Sequence, residues 1–297
     1  MNALVLGFSE SLEAAERLAH ALGIEAAAVE VRRFPDHEAL VRVPAAAPVV
    51  ILHRSLDDPD AKLVELLLAA SAARELGARR VVLVAPYLAY MRQDQAFRAG
   101  EAVSQRVIGG LLASHFDALL TVDPHLHRIS SLSDAVPGIP AVALSAAPLL
   151  AELVGRDDNP LIVGPDSESL QWTRTIAEPL DLDMLVGTKQ RHGDRSVSLA
   201  LDGAERARGR RVILVDDLVS SGHTLVETAK LLLSAGAARV EAIVTHCLAS
   251  DQDLARLTAS GIERLASSDS IPHRTNQVHL APLLADALEA RNLLCLP

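Results

Sequence analysis

Short, continuously apolar runs separate longer Ala/Leu-rich stretches along most of the chain. The predicted strands are 3–7, 48–52, 79–85, 117–122, 139–144, 160–164, 182–187, 211–215 and 239–245. The predicted helices are 10–22, 60–76, 103–115, 168–179, 224–235 and 251–259. Strands that lack polar alternation are typical of parallel sheets covered on both faces. The β–α–β order therefore predicts an α/β fold with two doubly wound domains, each a mainly parallel sheet flanked by helices.

A cluster of turn-forming residues predicts the boundary between the two domains. Pro137, Gly138, Pro140 and Pro148 lie within a short stretch near the middle of the chain, where helices and strands are readily interrupted. We therefore divide the chain into residues 1–142 and 143–297. In a chain of 297 residues, 49% of them hydrophobic, each part is long enough to bury its own core.

The composition excludes several classes of protein. The net charge is −10 and aromatic residues make up only 2% of the chain, which argues against a general nucleic-acid or membrane binder. No apolar run approaches the ~18–20 residues of a membrane span. The two cysteines, Cys247 and Cys295, form no CxxC motif, and the N-terminus lacks the basic region of a signal peptide. We expect a soluble cytoplasmic protein that holds any phosphate in a local pocket.

The strongest chemical motif is residues 211–225, RVILVDDLVSSGHTL. A predicted buried strand leads into Asp216 and Asp217, then a loop of small residues, then a helix. Amides of a small loop at a helix N-terminus can bind a phosphate, and two carboxylates can accept from sugar hydroxyls or bind a bridging Mg²⁺. Together they describe a sugar-phosphate site, without the Gly-Lys-Ser/Thr of a Walker A loop. The alternative is an ordinary helix N-cap with solvated acids.

This stretch resembles the phosphoribosyl-diphosphate-binding motif of the phosphoribosyltransferase superfamily. Three earlier segments resemble signatures of one of its families, ribose-phosphate pyrophosphokinase, and most closely the archaeal-type branch. They are RRFPDHE at 32–38, APYLAYMRQDQAFRAGEAVS at 85–104 and TVDPHLH at 121–127. Each is unspecific alone. Their order and spacing make the resemblance specific, and it covers nearly the whole chain.

The residues of the two earliest segments suit a nucleotide. Phe34 offers an aromatic face beside acidic acceptors, which could hold an adenine. Arg92 follows a predicted strand, where its guanidinium could meet a polyphosphate. The alternatives are a solvated β-turn with a core phenylalanine and a salt-bridged loop.

Four further residues point to metal or phosphoryl chemistry. His125 follows a strand in a segment with Asp123 and His127; alone it could be a metal ligand or a filler. Lys189 and Arg191 lie in a predicted polar loop, where they could neutralise a transferring phosphoryl group or be ordinary exposed residues. The resemblance assigns function to His125 and catalysis to Lys189 and Arg191. It places Asp166 near metal and ribose, while His127 is interpreted as structural.

The resemblance implies transfer of a diphosphoryl group from ATP to ribose 5-phosphate, with Mg²⁺, by a homo-oligomer (dimer or hexamer) whose ATP site spans a subunit interface. The residues expected to bind ATP are Phe34, Asp36, Glu38, Arg92, Gln93, Asp94 and His125. Those expected to bind ribose 5-phosphate are Asp216, Asp217, Ser220, Ser221, Gly222, His223 and Thr224. Those expected to serve the metal are His125 and Asp166.

The chain departs from the family pattern at four places. His37 stands for glycine, Gln95 for a basic residue and His223 for a small residue, and Ser167–Ser169 replace a glycine-rich turn. Two alternative functions stay open. A base phosphoribosyltransferase would use residues 211–225 but leaves the early segments unexplained. A regulatory paralogue would bind nucleotides beside an active partner.

Overall fold

A computed structural model describes residues 2–126, 131–155, 159–192 and 196–296, with the side chains at 189–192 and 196–199 outside that description. The chain divides into two compact units. The first comprises Met1–Leu144, Ser270–Pro272 and His279–Pro297, and the second comprises Ser145–Asp269 and His273–Val278. What each half of the chain binds stays a prediction.

Within the described residues, the first unit is built on a six-stranded, all-parallel sheet of order β2-β1-β5-β6-β7-β8. Its strands are β1 (Ala3–Gly7), β2 (Glu25–Ala28), β5 (Val49–His53), β6 (Arg80–Ala85), β7 (Ala118–Val122) and β8 (Ala141–Leu144). Its helices are α1 (Leu12–Leu22), α2 (Pro59–Glu75), α3 (Ser104–His115), α4 (Leu132–Ala135) and α9 (Ala281–Ala290). A separate antiparallel hairpin joins β3 (Glu30–Arg33) to β4 (Ala39–Arg42).

The described part of the second unit repeats this plan, with a six-stranded parallel sheet of order β10-β9-β13-β14-β15-β16. Its strands are β9 (Leu161–Gly164), β10 (Met184–Val186), β13 (Arg211–Val219), β14 (Arg239–Cys247), β15 (Ile262–Ser268) and β16 (Asn276–Val278). Its helices are α5 (Ala147–Ala151), α6 (Leu170–Leu180), α7 (His223–Ser234) and α8 (Asp251–Ala259). A second hairpin pairs β11 (Thr188–His192) with β12 (Ser196–Ala200).

The central strands are apolar because helices cover the sheets. Every residue of β5, β7 and β9 is buried, so these strands cannot show the polar alternation of a half-exposed sheet. The first core joins β5 and β7 to α2 side chains such as Leu63 and Leu66. The predicted α/β class with two mainly parallel, helix-flanked sheets is confirmed.

Some sequence expectations were wrong in detail. β13 continues to Val219 rather than ending at 215, so the acid pair lies inside the strand. The segment at 187–196, expected as a loop, contains the whole of β11 and the first residue of β12. Both hairpins, β15, β16 and α9 were not predicted, and α9 belongs to the first unit, where it packs on α1. Among the described residues, no helix has the length and apolarity that crossing a bilayer requires.

Candidate functional site

Three carboxylates meet at one edge of the second sheet. β9 and β13 are parallel neighbours, so their carboxyl ends lie at the same edge. Asp166 follows β9 by two residues, and Asp216 and Asp217 occupy the later part of β13. The Asp166 side chain accepts a hydrogen bond from the Glu168 amide (3.0 Å) and thereby caps a short 3₁₀ turn, Ser167–Ser169.

These carboxylates influence one another electrostatically. Burial, the charge of Asp217 and the charge of Asp166 together raise the pKa of Asp216 well above its usual range. The Asp217 amide also donates to the Asp216 carboxylate (3.1 Å). Crowded carboxylates of this kind are stabilised by hydroxyl donors or by a hard cation. The edge therefore suits a polyhydroxylated ligand, a divalent cation, or both.

A tight loop follows directly. Gly222 precedes α7 and has φ 71°, in the left-handed region, where glycine is favoured. A Cβ atom at this position would lie 2.8 Å from the Leu257 Cδ2 atom of α8. Arg256, also on α8, donates to the Ser221 carbonyl. α8 thus supports the loop in two ways: Arg256 binds its backbone, and Leu257 packs against Gly222.

The loop and the first turn of α7 present backbone N–H groups at this edge. The first four N–H groups of a helix lack intrahelical acceptors, and the helix dipole favours an anion there. Ser220, Ser221 and His223 are exposed, and Thr224 is half-buried. The segment expected to bind ribose 5-phosphate therefore places backbone amides suited to an anion beside carboxylates suited to hydroxyl donors.

The hairpin of the first unit displays the residues expected to meet the adenine. Phe34 is 41% exposed and the Arg32 guanidinium lies over its ring, 5.4 Å from the centroid. The core-phenylalanine alternative is therefore wrong. The Glu38 amide donates to the Asp36 carboxylate (3.2 Å). His37 adopts φ 72°, which explains why the family pattern has glycine at this position.

The loop after β6 holds the next three predicted residues. Arg92 is exposed, and Gln93 and Asp94 are half-buried. Gln105, in the first turn of α3, fixes the loop: its amide donates to the Gln93 carbonyl (3.3 Å) and its side chain donates to the Met91 carbonyl (3.1 Å).

His125 follows β7, the neighbour of β6 in the same sheet. Its side chain is half-buried. The preceding Asp123 adopts φ 37°, and its amide donates to the Leu144 carbonyl (2.8 Å), so the chain turns sharply before the histidine. The structure brings His125 and the Arg92 segment to the same edge of the first sheet. His127 lies outside the described residues.

Lys189 and Arg191 lie on β11, where their backbones pair with Leu199 and Val197 of β12. Their side chains lie outside the described part of the structure. The segment is a β-hairpin rather than the expected loop, and the catalytic roles of the two residues stay a prediction.

Sequence reasoning missed the residues that support these segments. On α2, Asp60 accepts from the Tyr90 hydroxyl and Glu65 pairs with Arg33. Arg256 on α8 supports the loop before α7. Only Glu65 left a signal, because it is a charged residue within the apolar run LVELLL, and such a residue is buried only with a partner.

Comparison with known proteins gives a family match for each half of the chain. Residues 3–115 match the N-terminal domain of ribose phosphate pyrophosphokinase, and residues 134–279 match the phosphoribosyl transferase domain. A ribose-phosphate pyrophosphokinase of Methanopyrus kandleri is 35% identical over 96% of this chain and 98% of its own length. That of Methanothermobacter thermautotrophicus is 30% identical over 96% and 100%. The crystal structure of phosphoribosylpyrophosphate synthetase from Mycobacterium smegmatis superposes with a TM-score of 0.82, at 25% identity over 98% and 99% of the two chains.

Proposed function

This chain belongs to the ribose-phosphate pyrophosphokinase family, and on that premise we propose that it transfers the diphosphoryl group of ATP to ribose 5-phosphate. The anomeric hydroxyl oxygen forms a bond to the β-phosphorus, the bond from that phosphorus to the α–β bridging oxygen breaks, and the hydroxyl proton is released. The products are 5-phospho-α-D-ribose 1-diphosphate and AMP. The family match to residues 3–115 favours this activity over a base phosphoribosyltransferase.

The observation that supports it most is the edge of the second sheet, where Asp216 and Asp217 lie beside the loop before α7. In the proposed complex, amides and side chains of Ser220–Thr224 hold the 5-phosphate at the positive end of the helix dipole. Asp216 and Asp217 accept hydrogen bonds from the ribose hydroxyls. Both contacts orient the sugar without taking part in bond making, as positioning requires.

The nucleotide is assigned to the first unit. Phe34 offers its exposed ring to the adenine, with the carboxylates of Asp36 and Glu38 beside it as acceptors. Arg92, Gln93, Asp94 and His125 are proposed to hold the polyphosphate, since they follow neighbouring strands of one sheet. By family resemblance the complete site includes residues of a second subunit, so we propose a homo-oligomer.

Mg²⁺ is the cation we propose for the reaction. The residues fit it: Asp166 and Asp216 offer hard oxygen donors, and burial, followed by the charges of Asp217 and Asp166, raises the pKa of Asp216. No group of three or more acidic, histidine or cysteine side chains within the described ranges forms a ready-made ligand set. This accords with Mg²⁺ bound through one or two carboxylates together with substrate phosphates. His125, in the first unit, is proposed to serve the metal that accompanies the nucleotide, where the ion would neutralise phosphate charge.

Lys189 and Arg191 are proposed to stabilise the charge that develops on the transferring group. Phosphoryl transfer depends on positioning and charge neutralisation, so no nucleophilic side chain is required. The two free cysteines, Cys247 (buried) and Cys295 (exposed), have no assigned role. Free thiols accord with a reducing compartment, and we propose the cytoplasm.

Product analysis tests the proposed function. Purified protein incubated with ATP, ribose 5-phosphate and Mg²⁺ should form AMP and the sugar diphosphate in equal amounts. AMP that requires ribose 5-phosphate supports the proposal. Nucleotide binding without AMP would favour the regulatory alternative, and formation of a nucleotide from a free base and the sugar diphosphate would favour the base phosphoribosyltransferase.

The assignment of Lys189 is tested by Lys189→Ala. We expect kcat to fall by about 10³-fold or more, because a charge-stabilising group of the transition state is lost, with ribose 5-phosphate binding nearly unchanged. Lys230→Ala is the matched control, since Lys230 is an exposed lysine that pairs with Glu227 on α7. Near-normal turnover of Lys189→Ala would contradict the assignment.

A further inference from the structure

We propose that a chain of alternating charges, Glu10–Arg54–Glu65–Arg33, positions the β3–β4 hairpin so that its tip can receive the nucleotide. This inference rests on the proposed function, which assigns the adenine to the hairpin tip. Glu65 and Arg33 would be positioning residues, because they support the tip without a contact to substrate.

The middle of this ion chain is buried in the first unit, between Glu10, whose side chain is 36% exposed, and Arg33, whose side chain is 45% exposed. Arg54, at the carboxyl end of β5, is buried, and its guanidinium stacks on Phe8 at 3.8 Å from the ring centroid. Its Nε donates to Glu10 (2.7 Å), its Nη1 to the Lys62 carbonyl (3.2 Å) and its Nη2 to Glu65 (2.7 Å). Arg54 is thus fixed by Glu10 of the short 3₁₀ turn Ser9–Ser11, by α2 and by an aromatic ring.

The outer end reaches the hairpin. Glu65 has a side chain only 5% exposed, and its second carboxylate oxygen accepts from Arg33, the last residue of β3. Arg33 uses its other terminal nitrogen to donate to the His37 carbonyl (3.1 Å). Two backbone bonds close the same turn, from the Phe34 amide to the Glu38 carbonyl and from the His37 amide to the Phe34 carbonyl, both 2.9 Å. One guanidinium therefore ties the tip of the hairpin to a buried carboxylate.

The two strands of the hairpin are largely exposed to solvent. All four residues of β3 are exposed, and β4 is only half-buried at alternate positions. Two strands alone are marginally stable in water. Packing of β4 against α2 supports the hairpin along its length. Among the described residues, the Arg33–Glu65 pair joins α2 to the turn itself.

Stability alone does not account for this arrangement. Buried ion pairs lose hydration, and apolar replacements are often neutral or more stable. Their geometry, however, is directional, and a guanidinium fixes two acceptors at once. With two cations and two anions this set of side chains is neutral overall, so it can pass through a buried region without an unpaired charge.

The test compares two arginines of the same hairpin. In Arg33→Gln, we expect the KM for ATP to rise about tenfold, equivalent to about 1.4 kcal/mol, and the KM for ribose 5-phosphate to change less than about twofold. Amides of Phe34 and His37 should exchange with deuterium faster. Arg33→Lys, which keeps the positive charge, should raise the KM for ATP less than Arg33→Gln does. Arg42→Gln is the control, because within the described part of the chain Arg42 pairs across the hairpin with Glu30, and both side chains are exposed.

Glu65→Gln provides a second variant from the α2 side. The glutamine side chain keeps the shape of the carboxylate. The variant should raise the KM for ATP and speed deuterium exchange at the Phe34 and His37 amides. In the double variant, Arg33→Gln should add nothing further. Unchanged ATP affinity and unchanged exchange in both variants would overturn the positioning role, as would an equal rise in both KM values. If the wild-type protein forms no AMP, the proposed function fails, while the exchange data still decide whether the ion chain holds the hairpin.

Discussion

The two units use ion clusters centred on opposite charges, a cation in the first and an anion in the second. In the first, one cation, Arg54, lies between the carboxylates of Glu10 and Glu65, at 2.7 Å from each. In the second, one anion, Glu241, accepts two hydrogen bonds from Arg211 at 2.9 Å and lies 3.5 and 3.7 Å from Arg239 and Arg264. Both clusters join a sheet to neighbouring elements, yet they differ in burial and in location.

Their positions along the strands separate support of a site from support of the fold. Arg54 follows β5 at the carboxyl edge of its sheet, where its cluster extends to the hairpin. Glu241 is the third residue of β14 and pairs with Ile213, ahead of the Asp216–Val244 pair. Its cluster therefore lies toward the amino end, away from the carboxylates of the proposed site. Since ligands of such sheets bind beyond the carboxyl ends, the first cluster can influence function directly and the second acts through stability.

The largest effect is expected for Arg54→Met. Removal of the cation leaves two carboxylates without their shared partner, and Glu65 is buried, so the free energy of unfolding should fall by about 3–5 kcal/mol. Urea denaturation measures this. Arg42→Met, which breaks an exposed pair, should cost less than about 1 kcal/mol. Equal losses in the two variants would show that burial of the first cluster is energetically irrelevant.

Glu241→Gln should destabilise less, by about 1.5–3 kcal/mol. The variant removes the charge that faces three arginines, but the side chains of Arg239 and Arg264 are 41% and 37% exposed and can be hydrated instead. The same urea measurement ranks the two variants. A loss larger than that of Arg54→Met would reverse the comparison between the clusters.

Gly222→Ala and Gly23→Ala compare a glycine of each unit in the left-handed region. Both have positive φ, 71° and 65°, so alanine should cost each about 1–2 kcal/mol. Only at Gly222 would the new Cβ also meet Leu257, whereas nothing lies within 4 Å at Gly23. We therefore expect the KM for ribose 5-phosphate to rise several-fold in Gly222→Ala alone, measured by AMP formation. A similar rise in Gly23→Ala would indicate a general loss of structure.

The pH dependence of stability gives the smallest effect. Hydrogen bonds from Arg211, and the charges of Arg211, Arg239 and Arg264, lower the pKa of Glu241 below its ordinary value of 4.5. A lowered pKa means that the carboxylate stabilises the folded state above the unfolded pKa, and that this contribution is lost as pH falls through the folded pKa. The stability difference between wild type and Glu241→Gln should therefore be constant near neutral pH and shrink below pH 4.5. A difference that grows on acidification would contradict this.

The sequence predicted the elements whose signal is local. Apolar runs such as 48–52 and 79–85 are buried strands, since continuous apolarity is required of strands covered on both faces. The acid pair and small loop at 216–224 were also placed correctly beside a helix, because strand, loop and helix are contiguous in the chain. The extension of β13 to Val219 was missed because aspartates are rare in strands.

Elements whose signal depends on distant partners were not predicted. The exposed strand β3 has no apolar pattern, and α9 is short and separated by more than 250 residues from α1, on which it packs. Glu65 looked anomalous within an apolar run, but nothing in its neighbourhood identified Arg33 and Arg54 as its partners.

The sequence by itself determined the α/β class, the order of its motifs and the family to which the chain belongs, because these follow from local periodicity and from residues at fixed spacing. The tertiary structure decided which charges meet. Arg33 and Glu65 are 32 residues apart, Arg54 and Glu10 are 44 apart, and Arg256 reaches Ser221 across 35. Such contacts form only when packing closes long loops and removes the ions from water, and that free energy is not encoded in any single segment.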